Sequence, residues 1–244
     1  MSQELVLFDL PSKGRCACWS LNPWKTRAAL NFKGIPYKTE WVEYPDMAAK
    51  FESFGIPPTA ENSPSGWSIP AVRMPDGSYI MDSRKIADAL ESMKPEPSLR
   101  LDSGYVDRVQ TAVLDTMKPL APVIMPRIPE MVLNPSSAEY FRTTRAKRFG
   151  MPLEEFAKSE QSGEVAWKGA EPGLRKIAKI LREHADGPFV LGKEPSYADL
   201  VLAGFLVMAA RVDQNDVFER IAGFDDVISK HYEACQKFVN RDDH

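Results

Sequence analysis

The sequence predicts an α/β domain followed by an all-α domain, and two observations carry this prediction. Residues 1–94 alternate short apolar runs with helical patterns, whereas residues 98–244 show helical spacing alone. Pro95 and Pro97 separate the two parts, because proline interrupts both helices and strands. We therefore assign residues 1–94 to the α/β domain and residues 98–244 to the all-helical domain.

The first strand–helix–strand unit lies near the N-terminus. Residues 5–10 form a short, mostly apolar run, which is typical of a buried strand. Residues 24–33 carry an apolar side at helical spacing, and Gly34 is placed to end that helix. Residues 37–41 alternate aromatic or β-branched side chains with charged ones, which predicts a second strand.

A hairpin and a further helix complete the α/β domain. Residues 46–54 favour an irregular helix, and residues 59–68 form a polar loop. The apolar runs at 69–74 and 79–81 are joined through a Pro-Asp-Gly-Ser turn, which indicates a β-hairpin. A clear helix then begins at Asp82, with its apolar residues on one face.

The second half of the chain is predicted to be helical throughout. Ser196 and Asp199 form a Ser-x-x-Asp capping box, which indicates a structural role. Residues 118–135 contain five prolines, so this segment cannot form one regular helix. Helical spacing is found at residues 99–118, 138–149, 171–184, 198–212 and 225–239.

The composition excludes several broad classes of function. With 31 Lys+Arg against 34 Asp+Glu, the formal net charge is −3, which argues against nucleic acid or an anionic membrane as a partner. The chain has no run of about 18 apolar residues, the length needed to cross a bilayer. The N-terminus does not resemble a secretory signal. An odd count of three cysteines is typical of a reducing compartment, so we expect a soluble protein of the cytoplasm.

Ser20 precedes the first predicted helix, and two interpretations of it remain open. The simpler one is an N-cap whose hydroxyl accepts a hydrogen bond from an orphan backbone N–H, with Pro23 tolerated in the first turn. The functional one uses the same geometry, because a hydroxyl and free N–H groups at the positive end of a helix can stabilise a thiolate. Position alone does not decide between them.

Two dipeptides carry a similar choice between structure and binding. Ile69-Pro70 is either an ordinary trans-proline at a sheet edge or a cis peptide that turns the backbone of Ile69 outward for another backbone to dock. Asp82-Ser83 is either a simple helix cap or a pair that binds an amino-acid-like ligand. In the second case Ser83 grips a carboxylate and Asp82 meets an ammonium group.

The sequence predicts no metal site. Cys16 and Cys18 are separated by one residue, which suits neither a redox motif nor a zinc knuckle, and the three histidines are scattered. We expect the cysteines to be small hydrophobes, with Cys16 or Cys18 kept as a minor alternative nucleophile. We interpret one basic cluster as the solvated face of a helix: Arg142, Arg145, Lys147 and Arg148.

Taken together, these sites resemble those of the cytosolic glutathione transferases over nearly the whole chain. In that family a thioredoxin-type domain binds glutathione, a cis-proline falls where Ile69-Pro70 stands, and an acidic-Ser pair like Asp82-Ser83 holds the γ-glutamyl end. The resemblance implies glutathione as co-substrate and no metal. It also implies a homodimer, in which the α/β domain of one subunit pairs with the helical domain of the other.

The first helix narrows the resemblance to a subclass. The segment Ser20-x-x-x-Trp24-Lys25-Thr26-Arg27 resembles the motif of Ser-type transferases and of bacterial β-aryl-etherases. The chain most resembles the etherase-like class of wood-decaying basidiomycete fungi, which implies that Ser20 activates the thiol of glutathione. Because Leu21 stands where the family often has proline, Asn22 is a candidate to share or take over the contact with sulfur.

The proline-rich segment has two interpretations as well. Residues 117–135 interleave prolines with flexible apolar side chains, and they form either a connection that completes the core or an adaptable apolar wall. The resemblance places this part of the helical domain opposite the glutathione sulfur. The second interpretation predicts a broad site for aromatic molecules such as wood phenolics, with these residues in its wall: Met117, Met125, Ile128, and Trp24 or Trp19 opposite.

We therefore expect a glutathione transferase that attacks hydrophobic or aromatic electrophiles. Two alternatives belong to other classes: a ligandin-type carrier of aromatic metabolites with little turnover, and a transferase-like interaction domain without glutathione binding. The pairs Ile69-Pro70 and Asp82-Ser83 speak against the interaction domain. The sequence does not distinguish conjugation from ether cleavage or peroxidase activity.

Overall fold

A four-stranded mixed sheet forms the centre of the N-terminal domain. The computed structural model describes residues 4–58 and 63–243, so Met1 to Gln3 and residues 59–62 of the predicted polar loop lie outside the described residues. The strand order is β2-β1-β3-β4; β1 is parallel to β2, and β3 is antiparallel to both β1 and β4. The strands are β1 (Leu5–Asp9), β2 (Tyr37–Trp41), β3 (Ala71–Arg73) and β4 (Tyr79–Met81).

The central, buried position of strand β1 explains why its sequence is a continuous apolar run. It is paired on both sides, with Leu7 opposite Thr39 of β2 and Val72 of β3, and all five of its residues are buried. A strand covered on both faces has no solvent side, so it shows no alternation. The hairpin of β3 and β4 is present as predicted, closed by the turn at residues 75–78.

Three helices flank the sheet: α1 (Leu21–Lys33), α2 (Met47–Ser53) and α3 (Ser83–Met93). Helix α1 begins three residues earlier than predicted, because the extended backbone of Ser20 ends the loop and Pro23 fits within the first turn. Gly34 ends this helix as predicted, with a φ of 59° that favours glycine.

The rest of the described chain is helical, as predicted. Helix α4 begins later than expected, because Arg100 and Gly104 both have positive φ and interrupt the helical pattern. Helix α9 begins at Glu164 rather than at residue 171 and ends at Leu181 rather than at residue 184, with Pro172 inside it. The helices are α4 (Tyr105–Met117), α5 (Ala121–Ile124), α6 (Arg127–Met131), α7 (Pro135–Phe149), α8 (Leu153–Phe156), α9 (Glu164–Leu181), α10 (Tyr197–Val212), α11 (Glu219–Ala222) and α12 (Asp226–Val239).

The proline-rich segment is broken into the two short helices α5 and α6, as its composition predicts. Among the described helices, none is both long enough and apolar enough to span a bilayer. The sheet with its three helices and the following helical bundle give the thioredoxin-like plus all-α fold class predicted above.

Helix α1 of the N-terminal domain makes the contact with the helical domain that matters for the site. It packs against α10, where Gly204 lies so close that a Cβ atom added there would be 2.9 Å from Cβ of Trp24. The capping box at the start of α10 is formed as predicted, with Ser196 and Asp199 both completely buried. The carboxylate of Asp199 also accepts a hydrogen bond from the N–H of Val190 at 2.7 Å. The end of α1 that carries Ser20 is therefore held by the helical domain.

Candidate active site

Ser20 stands at the N-terminus of α1 with its hydroxyl uncommitted among the described residues. Its backbone is extended, with φ −85° and ψ 140°, and its carbonyl accepts the first helical hydrogen bond from the N–H of Trp24 at 3.1 Å. The side chain makes no capping hydrogen bond. The structure therefore does not support the simple capping interpretation, and the hydroxyl is available to a ligand.

The first turn of α1 offers further donors beside this hydroxyl. The N–H groups of Leu21 and Asn22 have no acceptor within the helix, because the first turn lies before any carbonyl that could bond them. No acidic side chain lies in this turn, so the partial positive charge of the helix end is not neutralised there. Asn22 is exposed and contacts the same cavities as Ser20.

The loop before Ser20 is fastened to the C-terminal segment. The N–H of Cys18 donates to the carbonyl of Asp242 at 2.7 Å, and the Asp242 carboxylate bonds Arg15 at 2.6 Å as well as Arg211. A loop held at both the backbone and the side-chain level gives Ser20 a defined position relative to the rest of the site.

Two cavities meet at Ser20. The Ile69 cavity, of about 730 Å³, lies against Ile69 and the loop around Trp67. The Met117 cavity, of about 460 Å³, lies against α4 and the proline-rich segment. Both volumes are within the range of small-molecule sites. The residues common to both linings are Ser20, Asn22, Tyr44, Arg145 and Arg148.

The Ile69–Pro70 peptide bond is cis, which is the alternative that the resemblance implies. An edge position is also wrong for this segment, because β3 follows directly and is paired on both sides. Ile69 itself lines the cavity named after it. Whether its backbone binds a peptide-like ligand stays a prediction.

Asp82 caps helix α3 and keeps one carboxylate oxygen without a hydrogen bond among the described residues. Its Oδ1 accepts from the N–H groups of Arg84 at 2.8 Å and Lys85 at 3.1 Å, and its φ of 84° is unusual for a residue other than glycine. The carbonyl of Ser83 accepts from the hydroxyl of Tyr197 at 3.0 Å. The described linings of the two cavities do not include Asp82 or Ser83, so their role as a ligand pair stays a prediction.

Lys25 interacts electrostatically with Asp82 of this pair. It lines the Met117 cavity, where burial lowers the pKa of its ammonium group and the nearby Asp82 opposes that shift. The charge of Asp82 therefore acts on a cation of the Met117 cavity.

The proline-rich segment lines the Met117 cavity. Met117, Met125 and Ile128 face the same space as Ser20, as the sequence analysis predicted. The assignment of Trp24 to this wall was wrong, because its side chain is completely buried against α10. Trp19, the alternative, lines the cavity. The physical reason is that Trp24 lies one turn into α1, on the face packed against the helical domain, whereas Trp19 precedes the helix.

Sequence reasoning missed the aromatic and basic wall that α7 contributes. Tyr44 stacks on Tyr140 with ring centroids 5.7 Å apart, and burial raises its pKa to about 12. Arg145 and Arg148 line both cavities and Lys147 lines the Ile69 cavity, so this basic face borders the site as well as solvent, to which Lys147 and Arg148 are exposed. The spacing of Phe141, Arg145 and Arg148 along α7 puts them on one helical face, and this was the available signal.

Neither Cys16 nor Cys18 lines either of the two cavities. Burial raises the pKa of Cys18 well above its ordinary value, and burial also raises the pKa of the half-buried Cys16. A thiolate is the reactive form of cysteine, so both environments disfavour attack at neutral pH. Within residues 4–58 and 63–243, no cluster of His, Cys, Asp or Glu is arranged to hold a metal ion.

Comparison with known proteins decides the family. A sequence model of the glutathione S-transferase C-terminal domain matches residues 105–238, and one of the N-terminal domain matches residues 19–93. The chain belongs to the glutathione S-transferase family. Within that family it is similar to the glutathione S-transferase-like protein ustS of Aspergillus flavus, with 32% identity over 226 residues that cover 86% of this chain and 81% of that protein.

Solved structures of glutathione transferases from fungi resemble this chain over almost its full length. Glutathione transferase GSTFuA3 from Phanerochaete chrysosporium superposes with a TM-score of 0.85 at 28% identity, covering 98% of both chains. The transferase CsGST63524 of Ceriporiopsis subvermispora, solved in complex with glutathione, gives a TM-score of 0.82 at 32% identity and covers 97% of this chain and 98% of its own. The predicted relation to the etherase-like fungal class is thereby confirmed at the level of family and fold.

Proposed function

We propose that the protein is a Ser-type glutathione transferase that attaches the glutathione sulfur to hydrophobic or aromatic electrophiles. One observation carries the proposal: the uncommitted Ser20 hydroxyl lies at a helix N-terminus where the two cavities meet. Glutathione occupies the Ile69 cavity and the electrophile occupies the Met117 cavity. The sulfur of one and the reacting carbon of the other then meet beside Ser20.

Ser20 activates the thiol by stabilising its ionised form. Its O–H donates a hydrogen bond to the sulfur, and the positive end of α1 adds to the effect. A hydrogen bond to a charged group contributes about 1.5–3 kcal/mol, which lowers a thiol pKa by about one to two units. The thiol proton passes to solvent, the thiolate attacks the electrophilic carbon, and the leaving group departs with its bonding electrons.

Two further elements hold the tripeptide in the proposed complex. The backbone of Ile69 beside the cis-proline pairs with the cysteinyl backbone of glutathione, in the manner of an added strand. Asp82 and Ser83 receive the γ-glutamyl end, and Oδ2 of Asp82 is the oxygen that its capping hydrogen bonds leave for the ammonium group. Capping of α3 and ligand binding are therefore compatible in the same residue.

The proposal is tested first with glutathione itself. We expect the protein to be retained on immobilised glutathione, to be released by free glutathione, and to accelerate glutathione conjugation of benzyl halides. Failure to bind the matrix, together with no rate above the uncatalysed reaction, would contradict it. Binding without turnover would instead favour a ligandin-type carrier, which the aromatic and Met-rich lining of the Met117 cavity also supports.

The Met117 cavity is tested separately with a neutral fluorescent dye, N-phenyl-1-naphthylamine. Filling the cavity with Met125→Trp or Met117→Trp is expected to weaken dye binding about tenfold, because overpacking an apolar site costs about 1–3 kcal/mol. Met131→Trp is the matched control, since Met131 is 55% exposed and lies outside this lining. Equal dye affinity in all four proteins would place the aromatic site elsewhere.

We further propose that the protein acts as a homodimer in the cytoplasm, as the resemblance implies. A homodimer places the helical domain of one subunit beside the α/β domain of the other. Light scattering is expected to give about twice the chain mass of 27.4 kDa. A mass near that of one chain would contradict the dimer without affecting the assignment of Ser20.

A further inference from the structure

The Met117 cavity has a charge opposite in sign to that of the protein. The whole chain has 34 acidic and 31 basic residues. Of the residues that the structure describes, however, no aspartate or glutamate lines this cavity. Clefts lined by one sign of charge concentrate ligands of the other sign. The cations of the lining are Lys25, Lys118, Arg145 and Arg148.

These four cations have no acidic partner among the described residues. In the described part of the chain, none of them forms an ion pair with a carboxylate. Arg142 of the same helix α7 shows the contrast, because its Nε lies 3.4 Å from a carboxylate oxygen of Glu154. No described carboxylate therefore pairs with the cations of the cavity, although the charge of Asp82 acts on Lys25.

Arg145 is the best placed of the four to bind an anion beside an aromatic ring. Its guanidinium carbon lies 4.4 Å from the ring centre of Phe141 and 5.9 Å from that of Tyr44. Its one hydrogen bond to a described side chain runs from Nη1 to Oγ1 of Thr144, at 3.1 Å. Stacking on rings restricts the planar group, while the donors that remain can form the paired hydrogen bonds that suit a carboxylate or sulfonate.

We propose that the Met117 cavity selects aromatic compounds that carry an acidic group, with Arg145 as the residue that determines this specificity. The ring of the ligand packs on the wall of Met and aromatic side chains, and its carboxylate or sulfonate binds Arg145. For substrates, this inference rests on the proposed transferase function. The binding preference itself does not depend on turnover.

A pair of dyes with the same aromatic skeleton tests the preference without any reaction. 8-Anilino-1-naphthalenesulfonate is N-phenyl-1-naphthylamine with one added sulfonate, and both are titrated with S-methylglutathione occupying the Ile69 cavity. We expect the wild type to bind the sulfonate about fivefold more tightly, which corresponds to a partly exposed ion pair. Arg145→Gln should remove most of this preference while retaining affinity for the neutral dye.

Arg142→Gln is the matched control, because it removes the same charge from the same helix outside the cavity. We expect the control to keep the wild-type preference. An equal affinity of the wild type for both dyes, or a loss of preference that is the same in Arg142→Gln and Arg145→Gln, would overturn the proposal.

A pair of substrates separates this inference from the proposed function. 4-(Chloromethyl)benzoate and 4-(chloromethyl)benzamide both react by forming a sulfur–carbon bond and releasing chloride, and each rate is compared with its uncatalysed rate. We expect a benzoate preference in kcat/KM that Arg145→Gln removes, with the KM for glutathione unchanged. If neither compound is turned over but the dye preference holds, the transferase proposal fails and the acidic-ligand site stands.

Arg145 also lines the Ile69 cavity, so its charge could serve a carboxylate of glutathione instead. That role predicts a different result: Arg145→Gln would raise the KM for glutathione and leave both the dye preference and the benzoate preference intact. This outcome would overturn the proposed specificity.

Discussion

Replacing Ser20 by alanine is expected to lower kcat/KM for glutathione conjugation about 10- to 100-fold at neutral pH while glutathione still binds. The reason is the loss of one hydrogen bond to a thiolate, which contributes about 1.5–3 kcal/mol. The effect should act through the thiol pKa. In the wild type kcat/KM rises as the bound thiol ionises, and in Ser20→Ala this rise should move about one to two pH units higher. The loss should therefore shrink as the pH is raised.

The absorbance of the bound thiolate measures that pKa directly. Ser20→Thr is the conservative variant, because it keeps a hydroxyl at the same N-cap and is expected to restore part of the shift. Wild-type kcat/KM in Ser20→Ala, combined with a loss in Asn22→Ala, would transfer the role to Asn22. The exposed position of Asn22 in the same helix turn makes it the appropriate second test.

Arg27→Met is expected to lower the free energy of unfolding by about 3–5 kcal/mol, the largest stability effect that the structure predicts. Arg27 and Asp9 are both completely buried, and Nη2 of Arg27 lies 2.8 Å from Oδ2 of Asp9. The guanidinium also donates to Thr39 and lies against the ring of Trp41. Removing it leaves a carboxyl group buried without its counter-charge.

The loss should depend on pH in a defined direction. Burial already raises the pKa of Asp9, with Arg27 opposing the shift, so removing Arg27 raises that pKa further. A carboxyl group with a raised pKa binds more protons in the folded state than in the unfolded state. The stability of Arg27→Met should therefore fall as the pH rises through the raised pKa, and it should be closer to wild type in acid.

Urea unfolding monitored at several pH values measures both effects. Asp9→Asn combined with Arg27→Met removes the uncompensated charge and should recover most of the stability, whereas Arg142→Met at the surface should change it by less than about 0.5 kcal/mol. A loss below about 1 kcal/mol in Arg27→Met at neutral pH would show that the buried pair contributes little.

The pattern of apolar and polar residues was sufficient for the domain order and most helices, because periodicity depends on local geometry alone. It was insufficient at boundaries where a special backbone conformation intervenes. Helix α4 starts late after Arg100 and Gly104, and α9 starts at Glu164, on the N-terminal side of Pro172. Helix α9 packs closely on α4, because a Cβ added at Gly173 would lie 2.4 Å from Oγ1 of Thr116. Neither helix start has a sequence signal strong enough to override the local pattern.

In the candidate site, too, some residues could be predicted from local pattern and others depend on tertiary packing. Met117 and Met125 could be predicted because prolines marked their segment as irregular, and irregular apolar backbone often lines cavities. Trp24 could not be distinguished from Trp19, since both are large apolar residues near one helix end and only the packing of α1 on α10 separates them. Arg145 was missed because a charged residue on a helix usually faces water.

The close approach of Gly204 to Trp24 has a consequence for modularity. The helix that presents Ser20 buries Leu21 and Trp24 against a partner that lies more than a hundred residues away in the chain. An α/β fragment produced alone would expose this apolar surface to water and lose the packing that supports the helix carrying Ser20. The helical half thus supports the helix on which the proposed chemistry depends, besides lining the Met117 cavity. Exchange of helical domains between relatives should succeed only where a residue as small as glycine stands opposite the tryptophan.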